Sequence, residues 1–155
     1  YKNILKKFPN HLAVLNNMGQ IYELQAEYEN AMELFNKCLK LDPNEKIFIH
    51  NLANIYFLKK DFINSIPLLK KVIDIDLEHE RNCEKYAICL FNIKAFKDTK
   101  NFILSILTKY PKNDLFNKLL GRSLLNLNSH LEGLKYLQSG HGFIQLSSDG
   151  IKYLT

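Results

Sequence analysis

The sequence contains no tryptophan and has few cysteines, prolines and glycines: three, four and six respectively among 155 residues. The cysteines, Cys38, Cys83 and Cys89, are odd in number, and their spacing fits neither a disulfide framework nor a zinc motif. We expect three reduced thiols that are partly buried, which favours a reducing compartment such as the cytoplasm. No apolar run approaches the roughly 20 residues that a membrane span needs. The N-terminus also lacks the order of a signal peptide.

The sequence also lacks the motifs that indicate catalysis. It contains no Gly-rich phosphate loop, no Gly-x-Ser-x-Gly element and no paired-histidine metal motif. The one ligand-like pair at helical spacing, His79 and Cys83, supplies two ligands, whereas zinc needs at least three from the protein. The sequence therefore predicts no catalytic residues, no metal site, no cofactor and a protein that is not an enzyme.

The chain instead contains an internal repeat with a period of 34 residues. The segments Leu15–Tyr22 and Ala31–Phe35 return as Ile49–Tyr56 and Ser65–Leu69, and the same order of small and large residues returns twice more. A period of this length is typical of a helical solenoid, in which each repeat is a pair of helices.

Small residues mark the point where the two helices of a repeat should cross. Gly19 costs about 1 kcal/mol in a helix interior relative to Ala. We expect that cost to be tolerated because the second helix crosses there at Ala31. Tyr22 and Phe35 should fill the space around this crossing.

The pattern Gly19-x-x-Tyr22, followed by Ala31-x-x-x-Phe35 and Pro43, resembles the tetratricopeptide repeat family. This chain has Leu15 where the family often has Trp. The resemblance covers roughly residues 1–140. It implies an all-α fold, a right-handed α-solenoid of helix-turn-helix repeats, and a protein that binds other proteins.

The repeat frame predicts a half repeat at 1–10 and repeats at 12–45, 46–79, 80–113 and 114–140, which together form an array over 1–140. In the first repeat we expect helices at His11–Leu24 and Tyr28–Leu41. Pro67 should bend the second helix of the second repeat without breaking it. In chain order, the predicted N-caps are Asn10, Asp42 or Asn44, Asp61 and Asp114.

The last residues, 141–155, follow a different pattern. Apolar residues alternate on both sides of Asp149-Gly150, a dipeptide that favours a tight turn between strands. We therefore predict a small C-terminal β-hairpin, preceded by a left-handed C-cap at Gly140. The lack of an initiating Met and of a polar capping helix predicts a fragment of a longer protein.

In a solenoid of helix pairs, the first helices line the concave groove. Their groove-facing side chains are amides towards the N-terminus and cations towards the C-terminus. The predicted groove residues are Asn16, Asn17, Gln20, His50, Asn51, Asn54, Arg81, Lys85, Lys118 and Arg122. Amides can bond the backbone of an extended peptide, and cations suit acidic groups. The sequence therefore predicts a non-enzymatic scaffold that binds a peptide or protein segment in this groove.

The row of groove residues is also similar to the carboxylate clamp of co-chaperone tetratricopeptide domains, which bind the C-terminal Asp of heat-shock proteins. The chain matches that clamp at Asn51, Arg81 and Lys85. It departs at Asn16, where the family has Lys, and at Gln20, where it has Asn. A chaperone adaptor is thus one alternative.

Two further alternatives stay open. The array could recruit substrates or regulate a larger multidomain enzyme whose catalytic domain begins near the hairpin. It could also be a self-assembly module that forms homo-oligomers through the N-terminal half repeat or the hairpin. The net charge of +5, concentrated in the C-terminal half, is compatible with an acidic protein partner. We expect no nucleic-acid partner, because the basic stretch between Lys94 and Lys112 has no interleaved exposed aromatics.

Overall fold

The computed structural model describes residues 2–75, 79–140, 143–147 and 150–154. The chain divides into two compact units, unit 1 (Tyr1–Asn82) and unit 2 (Cys83–Thr155). The elements in chain order are α1 (Lys2–Lys7), α2 (Leu12–Leu24), α3 (Tyr28–Leu41), α4 (Lys46–Leu58), α5 (Phe62–Ile75), α6 (Glu80–Asn92), α7 (Phe96–Ile106), α8 (Asp114–Asn126), α9 (His130–Ser139), β1 (Phe143–Ser147) and β2 (Gly150–Leu154).

Helix pairs build both units. In unit 1, α2 packs on α3, α3 on α4, and α4 on α5; in unit 2, α7 packs on α8 and α8 on α9. Packing between neighbouring helices is what a helical repeat requires. The helices predicted for the first repeat are confirmed, with α2 starting one residue later than expected and α3 matching at both ends.

The crossing of the helices in each pair depends on small buried residues. A Cβ added to Gly19 would lie 2.6 Å from Cε1 of Phe35, and one added to Gly121 would lie 2.8 Å from the backbone oxygen of Gly133. The predicted close contact is therefore confirmed for the first and fourth pairs, and in the second pair Ser65 Oγ donates to the backbone oxygen of Ala53 at 3.0 Å. All eight positions of this kind are buried. They are Gly19, Ala31, Ala53, Ser65, Ala87, Thr99, Gly121 and Gly133.

Each turn within a helix pair contains a residue with a left-handed backbone. These residues, Ala26, Lys60, Lys94 and Asn128, have φ of 59°, 60°, 62° and 62° and lie 34 positions apart. The residue after each left-handed residue donates its backbone N–H to the carbonyl oxygen five positions earlier, as Glu27 does to Tyr22. This is the hydrogen bond of a Schellman motif, which ends a helix sharply.

The core of unit 1 lies between its helix pairs. Phe35, Ala31, Leu52 and Ile55 form one buried cluster, with Tyr22 packed against it as predicted. In unit 2, the ring of Phe116 is fully buried. Also in unit 2, the Tyr86 and Phe102 rings pack edge to face with centroids 4.7 Å apart. Packing of buried and half-buried aromatic rings therefore joins helices within each unit.

Three of the predicted N-caps are wrong, and one is confirmed. Asp61 accepts a hydrogen bond from the Asn64 N–H at 3.3 Å, as predicted. In the first repeat the cap position is His11, not Asn10, and its side chain makes no capping bond. In the second it is Glu45, not Asp42 or Asn44.

In the fourth repeat the cap is Asn113, one residue before the predicted Asp114. Each of these errors has the same cause. Several polar residues precede each of these helices. The N-cap is the residue just before the first helical dihedral angles, and composition does not reveal where those angles begin.

Two further predictions concern helix geometry. The helix α5 continues through Pro67, so the expectation that this proline does not break it is confirmed. Gly140 is the C-cap of α9, but its φ of −84° is not left-handed, so the predicted conformation is wrong. Glycine is favoured at position 140 for another reason. A Cβ added there would lie only 3.0 Å from the backbone oxygen of Asp114 and 3.0 Å from the backbone nitrogen of Lys118.

The residues after α9 include two strands in unit 2. The strands β1 and β2 pair antiparallel, with Ile144 opposite Tyr153 and Leu146 opposite Ile151. The strand β1 lies against α9. The residues predicted to form the turn, 148 and 149, lie outside the described residues.

Candidate functional site

Unit 1 contains a cleft of about 440 Å³ whose lining comes from α2, α4 and the start of α6. These are the first helices of three successive pairs, which the sequence predicted to line the groove. The cleft is lined by Gln20, Lys46, Ile47, His50, Asn51, His79 and Asn82. Its volume falls within the range of about 300–1,000 Å³ that is usual for ligand sites.

The amide of Asn51 is held in place beside this cleft. Asn51 is 7% exposed, and its Nδ2 donates to Oδ1 of Asn16 at 2.8 Å. This bond joins α2 to α4 and satisfies one donor of Asn51. It also fixes the orientation of the Asn51 amide. Two predicted groove residues are therefore brought together, and one of them lines the cleft.

Asn82 is the most buried polar side chain of the cleft, at 3% exposure. It lies in the first turn of α6, where its backbone N–H donates to the oxygen of His79. Within the described part of the chain, its side-chain amide has no hydrogen-bond partner. The amide therefore has both a donor and an acceptor available to whatever enters the cleft.

The remaining lining residues give the cleft a basic and partly apolar character. Lys46 and His50 lie on α4, His79 precedes α6, and the side chain of Ile47 is 54% exposed. Among the described residues that line this cleft, none is an Asp or a Glu.

Other predicted groove residues of unit 1 lie outside this lining. Asn17 is half-buried on α2, and Arg81 is exposed on α6. Asn54 donates from Nδ2 to Oε1 of Glu23 at 2.5 Å. This is a second side-chain hydrogen bond between α2 and α4. Some of the amides predicted to face the groove therefore bind other side chains of the protein.

The predicted cations of unit 2 are described separately. Lys85 and Lys118 are half-buried, on α6 and α8. Arg122 lies over the ring of Phe91, with its guanidinium carbon 5.5 Å from the ring centroid. A contact of this kind orients an arginine while leaving its N–H groups able to bind an anion.

The sequence prediction missed four residues of the cleft: Lys46, Ile47, His79 and Asn82. One of them carried a signal. The 34-residue period places Val14, Phe48, Asn82 and Phe116 at one position, and all four are buried. An amide among three apolar side chains breaks the pattern and would have identified Asn82.

Three described side chains that do not line the cleft, Glu29, Cys38 and Lys59, have shifted pKa values. A hydrogen bond from Lys59 lowers the pKa of Glu29, and the same bond raises the pKa of Lys59. Burial raises the pKa of the Cys38 thiol. The exposed Glu29–Lys59 pair, with 2.6 Å between Oε1 and Nζ, links α3 to the end of α4, and neither residue lines the cleft.

Within the described ranges, no group of three or more His, Cys, Asp or Glu side chains could hold a metal ion. No described helix has the length and apolar character that crossing a membrane would take.

Comparison with known families identifies repeats in unit 1. Two tetratricopeptide repeat models match the chain, one at residues 13–45 and the other at residues 48–79. The recognition of tetratricopeptide repeats is therefore confirmed for these segments. No curated protein sequence matches the chain.

Solved structures share the fold. The ArsTM double mutant of MamA RS-1 aligns with a TM-score of 0.80 and 16% identity, covering 90% of this chain and 78% of that one. A crystal structure of MamA protein gives 0.80 and 18%, covering 90% and 76%. MamA AMB-1 gives 0.79 and 18%, covering 83% and 70%. At such identity the likeness establishes the tetratricopeptide-like helical fold alone.

Proposed function

We infer from the tetratricopeptide repeats of this chain that it is a protein–protein interaction scaffold. We propose further that it is not an enzyme and that it binds a peptide or protein segment along the first helices of its pairs. The observation that carries the proposal is the cleft of unit 1, in which the amides of Gln20, Asn51 and Asn82 meet on three successive first helices. Amides that present donors and acceptors suit a peptide backbone.

The finer architecture belongs to the same proposal. We propose a right-handed α-solenoid in which residues 1–140 form the array, with the repeats bounded as the sequence predicts. In unit 1 the amides Asn16, Asn17, Gln20, Asn51 and Asn54 would orient the bound backbone, with His50 beside them. Acidic groups of the partner would meet the cations, which are Arg81 in unit 1 and Lys85, Lys118 and Arg122 in unit 2.

A chaperone clamp is less well supported by these contacts. That site needs a lysine where this chain has Asn16, and Asn16 accepts the hydrogen bond of Asn51. An Asn16–Asn51 pair is neutral and already bonded, so it lacks the charge that holds a terminal carboxylate.

The test begins with the partner. The full chain would be used to capture proteins from its source extract, and the captured proteins would be cut into overlapping peptides to map the bound segment. Calorimetry would then measure the affinity of that peptide for the wild-type chain and for the double variant Arg81→Glu, Lys85→Glu. We expect the variant to lose at least tenfold in affinity, because two attractive contacts become repulsive.

A matched control separates a local effect from net charge. The double variant Lys71→Glu, Lys97→Glu makes the same change in charge at exposed positions on α5 and α7, which are second helices. It should bind the peptide like the wild type. Unchanged affinity in the Arg81 and Lys85 variant, with circular dichroism showing an intact fold, would rule out the groove proposal.

A further inference from the structure

The N-terminal end of unit 1 is basic. No Asp or Glu occurs among residues 1–22, although unit 1 as a whole contains as many acidic as basic residues. Lys6 and Lys7 are exposed in the last turn of α1. Lys37 joins them from α3, because its Nζ donates to the Pro9 oxygen at 2.8 Å. Three lysines therefore lie where α1 ends.

A fourth lysine extends this basic region along α3. Lys40 follows Lys37 by about one turn, and both line a recess of about 530 Å³ beside α3. Among the described residues of this lining, Glu33 is the single acid. The next acidic residue along the chain, Asp42, follows α3 and is half-buried. Lysines therefore outnumber acidic residues on this side of unit 1.

Exposed apolar side chains lie beside these lysines. Phe8 directly follows Lys7 and is 61% exposed, and its N–H donates to the Ile4 oxygen at 2.8 Å. Since residues four apart share one side of a helical turn, Ile4, which is 42% exposed, lies next to Phe8. Lysines in a last helical turn are favourable on their own, because they interact with the helix dipole. That effect gives no reason for an exposed phenyl ring beside them.

These lysines and apolar side chains form one surface, the N-terminal basic patch, which consists of Ile4, Lys6, Lys7, Phe8, Lys37 and Lys40. We propose that this patch binds the surface of an anionic lipid bilayer. Such a bilayer attracts the lysines through its head groups and accepts the apolar side chains at its interface. The patch shares no residue with the cleft of unit 1, so this inference goes beyond the proposed function and does not depend on it.

The type of cation favours a bilayer over a single phosphate or carboxylate group. Arginine, whose planar fork binds such groups through paired hydrogen bonds, is absent from residues 1–80. Lysine acts as a point charge, which suits the diffuse negative charge of many head groups. Its apolar stem can also enter the interface while the ammonium group stays among the head groups. A second copy of the chain would instead bring like charges together.

The experiment uses tryptophan fluorescence. Because the sequence contains no tryptophan, Phe8→Trp in the full chain gives a single indole reporter. We expect its emission to shift to shorter wavelength with phosphatidylcholine vesicles that contain about one third phosphatidylserine, and to stay unchanged with phosphatidylcholine alone. Brominated acyl chains should quench it. The control Leu24→Trp, at the other end of α2 and 88% exposed in the wild type, should keep its emission with both vesicles.

Charge and size variants then test the patch by co-sedimentation with the phosphatidylserine vesicles. Lys6→Glu, Lys7→Glu should bind at least about 25-fold more weakly, because each lysine near an anionic surface contributes about fivefold. Lys97→Glu, Lys135→Glu makes the same change in charge at exposed positions on α7 and α9 and should lose much less. Phe8→Ala should bind about tenfold more weakly, with circular dichroism showing an intact fold.

Other occupants of the patch would give different results. An unchanged Phe8→Trp emission with phosphatidylserine vesicles, or an equal shift for Leu24→Trp, would overturn the proposal. Tight binding of polyglutamate in place of vesicles, unaffected by Phe8→Ala, would assign the patch to an acidic protein. An emission shift that rises with protein concentration without lipid would assign it to a second copy. The groove proposal would stand in each case, because the Arg81 and Lys85 variant tests it separately.

Discussion

Gly19 illustrates how one missing side chain sets the distance between two helices. A Cβ at this position would lie 2.6 Å from Phe35 Cε1, in a ring that is fully buried. Alanine would gain about 1 kcal/mol in helix propensity, but overfilling a packed core costs about 1–3 kcal/mol. We expect Gly19→Ala to lower the free energy of unfolding by about 1 kcal/mol, measured by urea denaturation.

The double variant Gly19→Ala, Phe35→Leu tests the cause. If the clash with the ring is responsible, a smaller side chain at position 35 relieves it, and the two changes together cost less than their sum. Strict additivity would show that Gly19 matters for another reason.

Lys94 adopts a backbone conformation that lysine disfavours. Its φ of 62° lies in the left-handed region, where an L-residue with a Cβ loses about 1 kcal/mol or more relative to glycine. We expect Lys94→Gly to stabilise the chain by about 0.5–1 kcal/mol. Differential scanning calorimetry would record the gain as a higher midpoint.

Two glycine controls accompany that prediction. Lys97→Gly, three residues on in the first turn of α7, should destabilise by up to about 1 kcal/mol because its backbone is helical. Asn128→Gly should gain less than Lys94→Gly, since asparagine tolerates φ of 62° better. Equal effects at Lys94 and Lys97 would contradict the backbone argument.

At the scale of the element, the helix α8 depends on a single asparagine. Oδ1 of Asn113 accepts from the Phe116 N–H at 2.8 Å, while its Nδ2 donates to Glu84 Oε1 at 2.8 Å. We expect Asn113→Ala to cost about 1–2 kcal/mol, and Asn113→Ser to cost less because serine keeps the cap. Urea denaturation measures both.

Asn10 provides the control for this cap. Its sequence context made it the predicted cap of α2, but the cap position is His11. Asn10→Ala should therefore change the free energy of unfolding by less than about 0.5 kcal/mol. A loss similar to that of Asn113→Ala would mean that Asn10 does cap the helix.

The elements themselves were more predictable than their ends. The 34-residue period and the small residues at 19, 31, 121 and 133 predicted how the helices pack. This was possible because the packing depends on side-chain size, which can be read from the sequence. The left-handed residues could not be predicted, because Ala26, Lys60 and Lys94 are not glycine and nothing local marks them. Their conformation is imposed by the helices that they connect.

At the scale of the whole molecule, the candidate site was predicted only where the repeat frame applies. Gln20, His50 and Asn51 follow from helix register, and the structure brings them together in one cleft. Lys46 and His79 lie at helix starts, where one residue of error in the cap changes the direction of a side chain. Asn82 was overlooked because its register marks it as core.

The two units provide a last test, because unit 1 contains one fully buried thiol and unit 2 contains two. Cys38 lies in unit 1 and Cys89 in unit 2, both at 0% exposure. Burial raises the pKa of Cys38, which keeps the unreactive thiol form at mildly alkaline pH. Labelling by a thiol reagent therefore requires opening, and its rate reports the stability of the surrounding unit.

A variant that loosens one unit should expose the thiol of that unit. In a repeat protein, stability is a sum of local terms and contacts between neighbours, so destabilisation stays partly local. We expect Gly19→Ala to speed labelling of Cys38 about fivefold and to affect Cys89 less. Gly121→Ala, whose added Cβ would lie 2.7 Å from Leu137 Cγ, should do the reverse. Mass spectrometry of each cysteine peptide gives the rates, and equal acceleration at both cysteines in both variants would show that the units open together.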